Sequence, residues 1–283
     1  MPELPEVETV CAALRLALEG VVVEHCEVRN PSLREPVDVE ALKNAVTGRR
    51  ICEVRRRGKF IVWELGNTGE IPAILLHLGM SGRFHSESPG TPYDRHDHVC
   101  WTLDNGQELR FCDPRRFGSV RVTRLEGPGA DPSELAHLGP EPMSSKFNAD
   151  TLFCELRNRK APVKNLLLDQ TLVAGIGNIY ANEALYVSRI HPLTQGGRLG
   201  KRRCARLVAA VKNVLDDAIS CGGTTIRDFQ GLNGDEGHFA TCLNVYGREG
   251  ETCPRCGDGS GAEIRREVSA GRSTYFCPKC QRK

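Results

Sequence analysis

Residues 98–111 read His98-Val-Cys-Trp-Thr-Leu-Asp104-Asn-Gly106-Gln-Glu-Leu-Arg-Phe111. Two runs of strand composition enclose an Asn-Gly step, whose residues tolerate the positive φ that a tight antiparallel hairpin requires. Antiparallel pairing here sets the expectation for the chain on either side. Upstream, Val21–Val28, Ile51–Val54, Phe60–Leu65 and Ile71–Leu78 have the same composition, punctuated by Pro31, Gly58 and Asn67-Thr68-Gly69. Downstream, Gly118–Arg124 adds a further strand. Val7–Glu19 carries apolar residues at helical spacing and stops at Gly20, and Asp38–Val46 reads as a short helix between strands. The expected first domain, residues 1–134, is an antiparallel β-sandwich with flanking helices, in a chain of α+β class.

From Glu126 to Pro142 the composition turns to Gly, Pro and acidic residues, which predicts a connection, and we place a linker at residues 135–150. Helical patterns follow at Asp150–Arg157, Pro162–Asp169, Asn178–Val187 and Leu199–Ser220. Residues 151–250 are therefore expected as a helical domain, with Gly231–His238 a loop, and residues 251–283 as a cysteine module. The chain holds 38 basic and 36 acidic residues, a net charge of +2. Residues 1–150 carry 18 basic and 23 acidic side chains and residues 151–283 carry 20 and 13, balances of −5 and +7. The basic second half, with Arg49-Arg50 and Arg55-Arg56-Arg57-Gly58-Lys59 in the first, points to a polyanionic partner, although each cluster alone is more often a solvated face. With 40% hydrophobic and 26% charged residues the composition is that of a folded globular protein. Apolar runs such as Leu14–Leu18 and Ile71–Leu76 are too short to span a bilayer. The N-terminal Met-Pro-Glu-Leu-Pro-Glu puts acids and prolines where a signal peptide needs cations and an apolar core. The expectation is a cytoplasmic protein with no membrane partner.

Of thirteen cysteines, nine are scattered singly, which suits buried thiols in a reducing compartment. The other four form Cys253-Pro-Arg-Cys256 and Cys277-Pro-Lys-Cys280, two matched pairs separated by 20 residues. Two pairs of thiolates brought together across a hairpin make the tetrahedral donor set of structural zinc. Two disulfides or a redox pair are the other readings, and neither needs two matched knuckles. With every position filled by protein, such a zinc is structural. His96-Asp97-His98 is assigned no metal; a strand edge is its expected setting.

Met1-Pro2-Glu3-Leu4-Pro5-Glu6 surrounds a penultimate proline with carboxylates. If the initiator methionine is removed, Pro2 carries a free secondary amine, with a reference pKa near 8 for an α-amino group. Such an amine attacks a sugar aldehyde carbon to give a cationic iminium, and Glu3 beside it can act as a general acid. Physics alone favours the plainer role: Pro2 starts a turn, and the glutamates favour the positive end of the following helix.

The N-terminal motif, His77-Leu-Gly-Met80-Ser-Gly82, Asp113-Pro-Arg-Arg-Phe117-Gly118, Gly175-Ile-Gly-Asn-Ile-Tyr180 and the terminal cysteine pairs together resemble the formamidopyrimidine-DNA glycosylase family, in the family's order and over essentially the whole chain. The resemblance implies a helix-two-turns-helix element in the helical domain, a zinc-finger β-hairpin, one structural Zn2+, and a monomer that clasps duplex DNA containing damaged bases or abasic sites. It implies Pro2 as nucleophile, Glu3 as general acid, Glu6 as a supporting carboxylate and Lys59 as the lysine that holds phosphate and helps β,δ-elimination. Met80, Arg115 and Phe117 match the residues that fill the void left by an extruded base. Asn178 and Arg272 match phosphate contacts. Lys164 is assigned an electrostatic part in binding DNA, and Glu183 a structural one. The implied activity is excision of oxidised purines followed by strand cleavage. An endonuclease VIII-like enzyme for oxidised pyrimidines is the neighbouring alternative, disfavoured by Leu4 and by the intact Met80, Arg115 and Phe117. A non-catalytic DNA-binding homologue is the other, disfavoured by Pro2, Glu3, Glu6 and Lys59. The segment Gln230–Phe239 aligns with the family's base-capping loop.

Overall fold

The structure, a computed structural model, describes residues 1–66, 71–223, 242–257, 259 and 261–283. The Asn67-Thr68-Gly69 turn and the Gln230–Phe239 loop lie outside the described residues. The first strands and helices are α1 (Leu4–Leu18), β1 (Val22–Val28), α2 (Val39–Val46), β2 (Arg49–Arg57), β3 (Phe60–Leu65), β4 (Ile71–His77), β5 (Arg83–Glu87), β6 (Asp97–Leu103), β7 (Glu108–Cys112) and β8 (Ser119–Leu125). The hairpin expected over residues 98–111 is present: β6 and β7 pair antiparallel around Gly106, which sits at φ +78°.

All eight strands belong to one antiparallel sheet in the order β5-β7-β6-β1-β2-β3-β4-β8. Its weakest seam is β1–β2, where only Val22↔Arg50 and Val23↔Arg49 are in register. Across that seam the sheet folds on itself. Trp63 of β3 meets Trp101 of β6 edge-on with centroids 5.0 Å apart, and Phe84 of β5 at 5.9 Å. The expected sandwich is thus a single folded sheet whose two four-stranded halves share an aromatic core.

Helix α1 begins at Leu4, three residues before the start that the apolar periodicity predicts. Pro5 occupies its first turn, where a missing N–H leaves nothing unsatisfied. Leu4, Val7, Val10, Cys11, Leu14 and Leu18 form its buried stripe, joined to the sheet core. It ends at Gly20 in the left-handed region, with the Glu19 N–H bonded to Arg15 O at 3.1 Å.

The chain forms two compact units, one containing Met1–His137 and the other Leu138–Ser220 together with the cysteine module. Residues 138–148, expected as linker, pack into the second unit. Gly139 donates to Gln170 O at 2.8 Å, Ala174 donates to Pro140 O at 3.0 Å, and Phe147 is buried. The second unit contains α3 (Ala149–Leu156), α4 (Val163–Leu167), α5 (Asn178–Val187), α6 (Lys201–Ser220) and the hairpin β9 (Arg265–Ser269) with β10 (Arg272–Phe276). Helix α6 is amphipathic, with Cys204, Leu207, Val211, Val214, Leu215 and Ala218 on the inner face, whereas α5 is buried nearly all round. No helix among the described residues is long and apolar enough to cross a membrane.

Candidate active site and metal centre

The N-terminal motif folds into a capped helix start. Glu3 is the N-cap of α1, and Glu6 at the third helical position accepts the Glu3 N–H at 2.8 Å. Both carboxylates are buried, at 4% and 1% exposure, which is rare for acids and marks them as held in place. Pro2 is buried as well, while Met1 is exposed at 46%. Gly223 closes over Glu6: at φ +82°, a Cβ there would lie 3.2 Å from both Glu6 Cγ and Oε1. The peptide that follows Pro2 is held by the same Glu6 carboxylate that caps the helix, so capping and chemistry need not be alternatives.

Lys59 sits at the tip of the β2–β3 hairpin after Gly58, at φ +59°, and is 8% exposed. His77, which opens one of the sequence motifs but carries no expected role, stands opposite Phe60 in the β3–β4 register with the two rings 4.9 Å apart. Burial first, then the nearby cations Lys59 and Arg34, push His77 down to about 4. Its Nδ1 accepts the Gly79 N–H at 2.9 Å, so the proton of the neutral ring is on Nε2. The site thus gains a neutral imidazole donor in the field of Lys59.

Two loops, residues 78–82 after β4 and 113–118 between β7 and β8, lock together. Asp113, fully buried, accepts from Ser81 Oγ at 2.6 Å, from the Gly118 N–H at 2.7 Å and from the Arg115 N–H at 3.3 Å. His98 Nε2 donates to Asp113 O at 2.8 Å. Gly79, at φ +62°, lies so close to the second loop that a Cβ would come within 2.3 Å of Phe117 C. This back-to-back locking sets the loop that carries Met80, half-buried, against the loop that carries Arg115 and Phe117, both exposed, with the Arg115 guanidinium 5.1 Å from the Phe117 centroid. Asp113 anchors the Arg115 backbone and leaves the guanidinium to the ring.

The four sulfurs of Cys253, Cys256, Cys277 and Cys280 lie within 4.8 Å of one another, the one such cluster among the described residues. Three of the separations are 3.2, 3.5 and 3.9 Å. A tetrahedron with Zn–S bonds near 2.3 Å separates its sulfurs by about 3.8 Å, so the donor set fits zinc in both chemistry and span. Cys253 and Cys277 are fully buried. The Cys280 N–H points at Cys277 Sγ from 3.4 Å, the amide-to-sulfur contact of a knuckle.

Two sets of cations depart from the expectation drawn from the sequence. Lys164, expected to act on DNA, has no exposed surface; its Nζ donates to Ser273 O at 2.8 Å and Thr274 Oγ1 at 2.7 Å, tying α4 to the hairpin. Arg55 and Arg57 grip Asp131 at 2.8 Å each, and Arg56 grips Glu8 at 2.5 Å. These three arginines secure neighbouring segments of their own unit and offer little to a phosphate. Asn178, at the start of α5, donates to Ser273 O at 3.0 Å, so the residue after Arg272 is held while Arg272 itself is exposed. Glu183 is buried and accepts from the N–H groups of Asn244, Val245 and Tyr246 at 2.9 Å each, holding that segment to α5.

Comparison with known proteins agrees across the chain. Residues 1–120 match the Formamidopyrimidine-DNA glycosylase N-terminal domain, residues 138–230 the Formamidopyrimidine-DNA glycosylase H2TH domain, and residues 250–282 the zinc finger found in FPG and IleRS. The Formamidopyrimidine-DNA glycosylase of Magnetococcus marinus is 43% identical over 282 residues and that of Paracoccus denitrificans 45% over 291, each alignment spanning at least 99% of both chains. Among solved structures, the Lactococcus lactis Fpg bound to abasic-site DNA superposes with a TM-score of 0.87 at 34% identity, covering 99% of this chain and 100% of that one. A Lactococcus lactis mutant bound to Fapy-dG-containing DNA gives the same TM-score at 33% identity, covering 100% of both.

Proposed function

The chain belongs to the formamidopyrimidine-DNA glycosylase family, and from that membership and the geometry of the site we infer a bifunctional DNA glycosylase and abasic-site lyase acting on damaged purines in duplex DNA. The observation that carries the reading is the buried Pro2–Glu3–Glu6 cap in the same unit as Lys59 and His77. Once Met1 is removed, the Pro2 amine attacks C1′ of the damaged nucleotide, the C–N glycosidic bond breaks, and the base leaves with a proton. Glu3 protonates the ring oxygen as the sugar opens, and the nitrogen is left as an iminium. The iminium acidifies C2′; loss of that proton expels the 3′-phosphate, and a second elimination expels the 5′-phosphate. Glu6 holds the Glu3 backbone during these steps. Lys59 and the Nε2–H of His77 face the phosphate and offset its charge.

The target base must leave the stack before C1′ is reachable. Met80 and Phe117 fill the vacated space and Arg115 faces the orphaned base, in keeping with their places on two interlocked loops. Asn178 and Arg272 grip flanking phosphates, and zinc holds the hairpin that carries Arg272. The protein acts as a cytoplasmic monomer in this reading. Duplexes carrying 8-oxoguanine or a formamidopyrimidine opposite cytosine, or an oxidised pyrimidine opposite its purine partner, test it: release of the two purine lesions with strand cleavage is expected. Preferential release of the pyrimidine lesion would favour the endonuclease VIII-like alternative, and binding without release a non-catalytic protein.

A further inference from the structure

Tyr186, on the last turn of α5, is 2% exposed and packs with Val245, Cys253, Ala262, Ile264 and Cys277. Its hydroxyl oxygen lies 3.5 Å from Cys253 Sγ and 3.1 Å from the backbone nitrogen of Arg255. The Arg255 N–H can only donate, so the single hydroxyl hydrogen of Tyr186 is left for the sulfur, and a metal-bound thiolate can only accept. The Arg255 guanidinium stands 4.2 Å from the centre of the Tyr186 ring and donates to Tyr186 O at 2.9 Å and Val187 O at 3.5 Å, the last carbonyls of α5. Arg255 is exposed and lies between the two cysteines of the first knuckle.

Four thiolates around Zn2+ leave a net charge of −2, and two of these cysteines have no exposed surface. Charge withdrawn from water is costly unless donors or counter-charge oppose it. We propose that Tyr186 and Arg255 form an outer-shell relay that opposes this charge at Cys253 and sets how firmly the cysteine quartet keeps its zinc. The relay rests on the zinc reading above. Tyr186 is a positioning residue: it touches the ligand, never the metal. The relay also explains a polar hydroxyl directed into an otherwise apolar and sulfur-lined cluster, where phenylalanine would fill the same volume.

Tyr186→Phe in the full chain keeps the ring and the Arg255 stack and deletes only the hydroxyl. Zinc release into a chromophoric chelator is expected to run about tenfold faster than in the parent, the low end of what outer-shell partners contribute to metal retention. In the cobalt-substituted proteins the sulfur-to-metal charge-transfer band should move to lower energy in Tyr186→Phe, because a thiolate that has lost a donor gives up electron density more readily. A role in packing alone would not move that band. Arg255→Gln, which keeps the backbone N–H and removes the guanidinium charge, is the second variant; its zinc release should also quicken, with a smaller shift of the band. One zinc per chain in the parent, with release and spectra unchanged in both variants, would overturn the relay alone. A parent that retains no zinc would overturn the metal reading and the relay with it.

Discussion

Lys59 and Lys164 are both buried lysines, and the regions around them put burial to different uses. Lys59 stands at a hairpin tip near His77, and in the same unit the buried acids Glu3 and Glu6 cap the helix that follows Pro2. Lys164 lies inside the second unit with its ammonium on Ser273 O and Thr274 Oγ1. Around it Asn178, Asn182 and Glu183 likewise spend their side chains on the hairpin and its approach, Asn182 Oδ1 accepting the Tyr275 N–H at 2.8 Å. The first region concentrates reactive groups on a few backbone caps; the second consumes its polar groups to hold an exposed Arg272 and a metal knuckle in place. A buried cation is therefore not evidence of catalysis until its partners are known.

The two regions should fail differently. The largest effect is expected at Glu3: Glu3→Gln should lower base excision by about 10²- to 10⁴-fold, the usual worth of a positioned proton donor, with little change in thermal unfolding. Excision assays beside thermal melts check this, and a variant that simply unfolds would erase the contrast. Next, stripping zinc with a chelator or replacing Cys277 by Ser should abolish DNA retention in a filter-binding assay while the N-terminal amine stays titratable. Undiminished binding by the metal-free protein would contradict the structural role given to the cysteine module.

The lysines themselves offer a paired test of intermediate size. Lys164→Met leaves the buried acceptors Ser273 O and Thr274 Oγ1 without this donor and should cost about 1–3 kcal/mol in denaturant unfolding, while the chemical step in pre-bound DNA survives. Lys59→Met should do the reverse, retaining the melting point and losing strand cleavage. A Lys164→Met protein of full stability that cannot cleave pre-bound DNA would give Lys164 a part in the reaction.

The smallest effect is on pH dependence. His77 falls to about 4 in the folded chain, below its ordinary 6.5, so the unfolded chain takes up this proton first. Its contribution to stability is complete above about pH 6.5 and is lost as pH falls toward 4. His85 is raised, chiefly by its hydrogen bond to Asp97, so its contribution is present below pH 6.5 and is lost as pH rises through the folded value. Thermal midpoints of His77→Gln against pH should therefore show a flatter acid limb and an unchanged alkaline one.

Much of this is legible in the sequence because it is local. The Asn-Gly hairpin, the cysteine spacing and the amphipathic α6 each announce themselves within a few residues. Strand β5 escapes a reading by composition because Arg-Phe-His-Ser-Glu has one apolar residue, as befits an edge strand paired only with β7. Strand β2 extends through Arg55–Arg57, where charges are tolerated because Asp131 and Glu8, 74 to 76 and 48 residues away, take them up. The burial of Lys164 depends on a hairpin more than a hundred residues downstream. Those pairings have no signature at either end of the chain. His77 has one, since it opens the Leu-Gly-Met segment, but its role rests on a hydrogen bond to Gly79 that only the turn geometry supplies.

In the proposed reaction the capped N-terminus is the reacting group. Borohydride reduction of the protein mixed with lesion-containing duplex, followed by proteolysis and mass spectrometry of the crosslinked peptide, tests it most directly. One adduct is expected, on a peptide that begins at Pro2 and carries the deoxyribose remnant on its amine. An adduct on Lys59, or none from a protein whose Met1 has been removed, would contradict it.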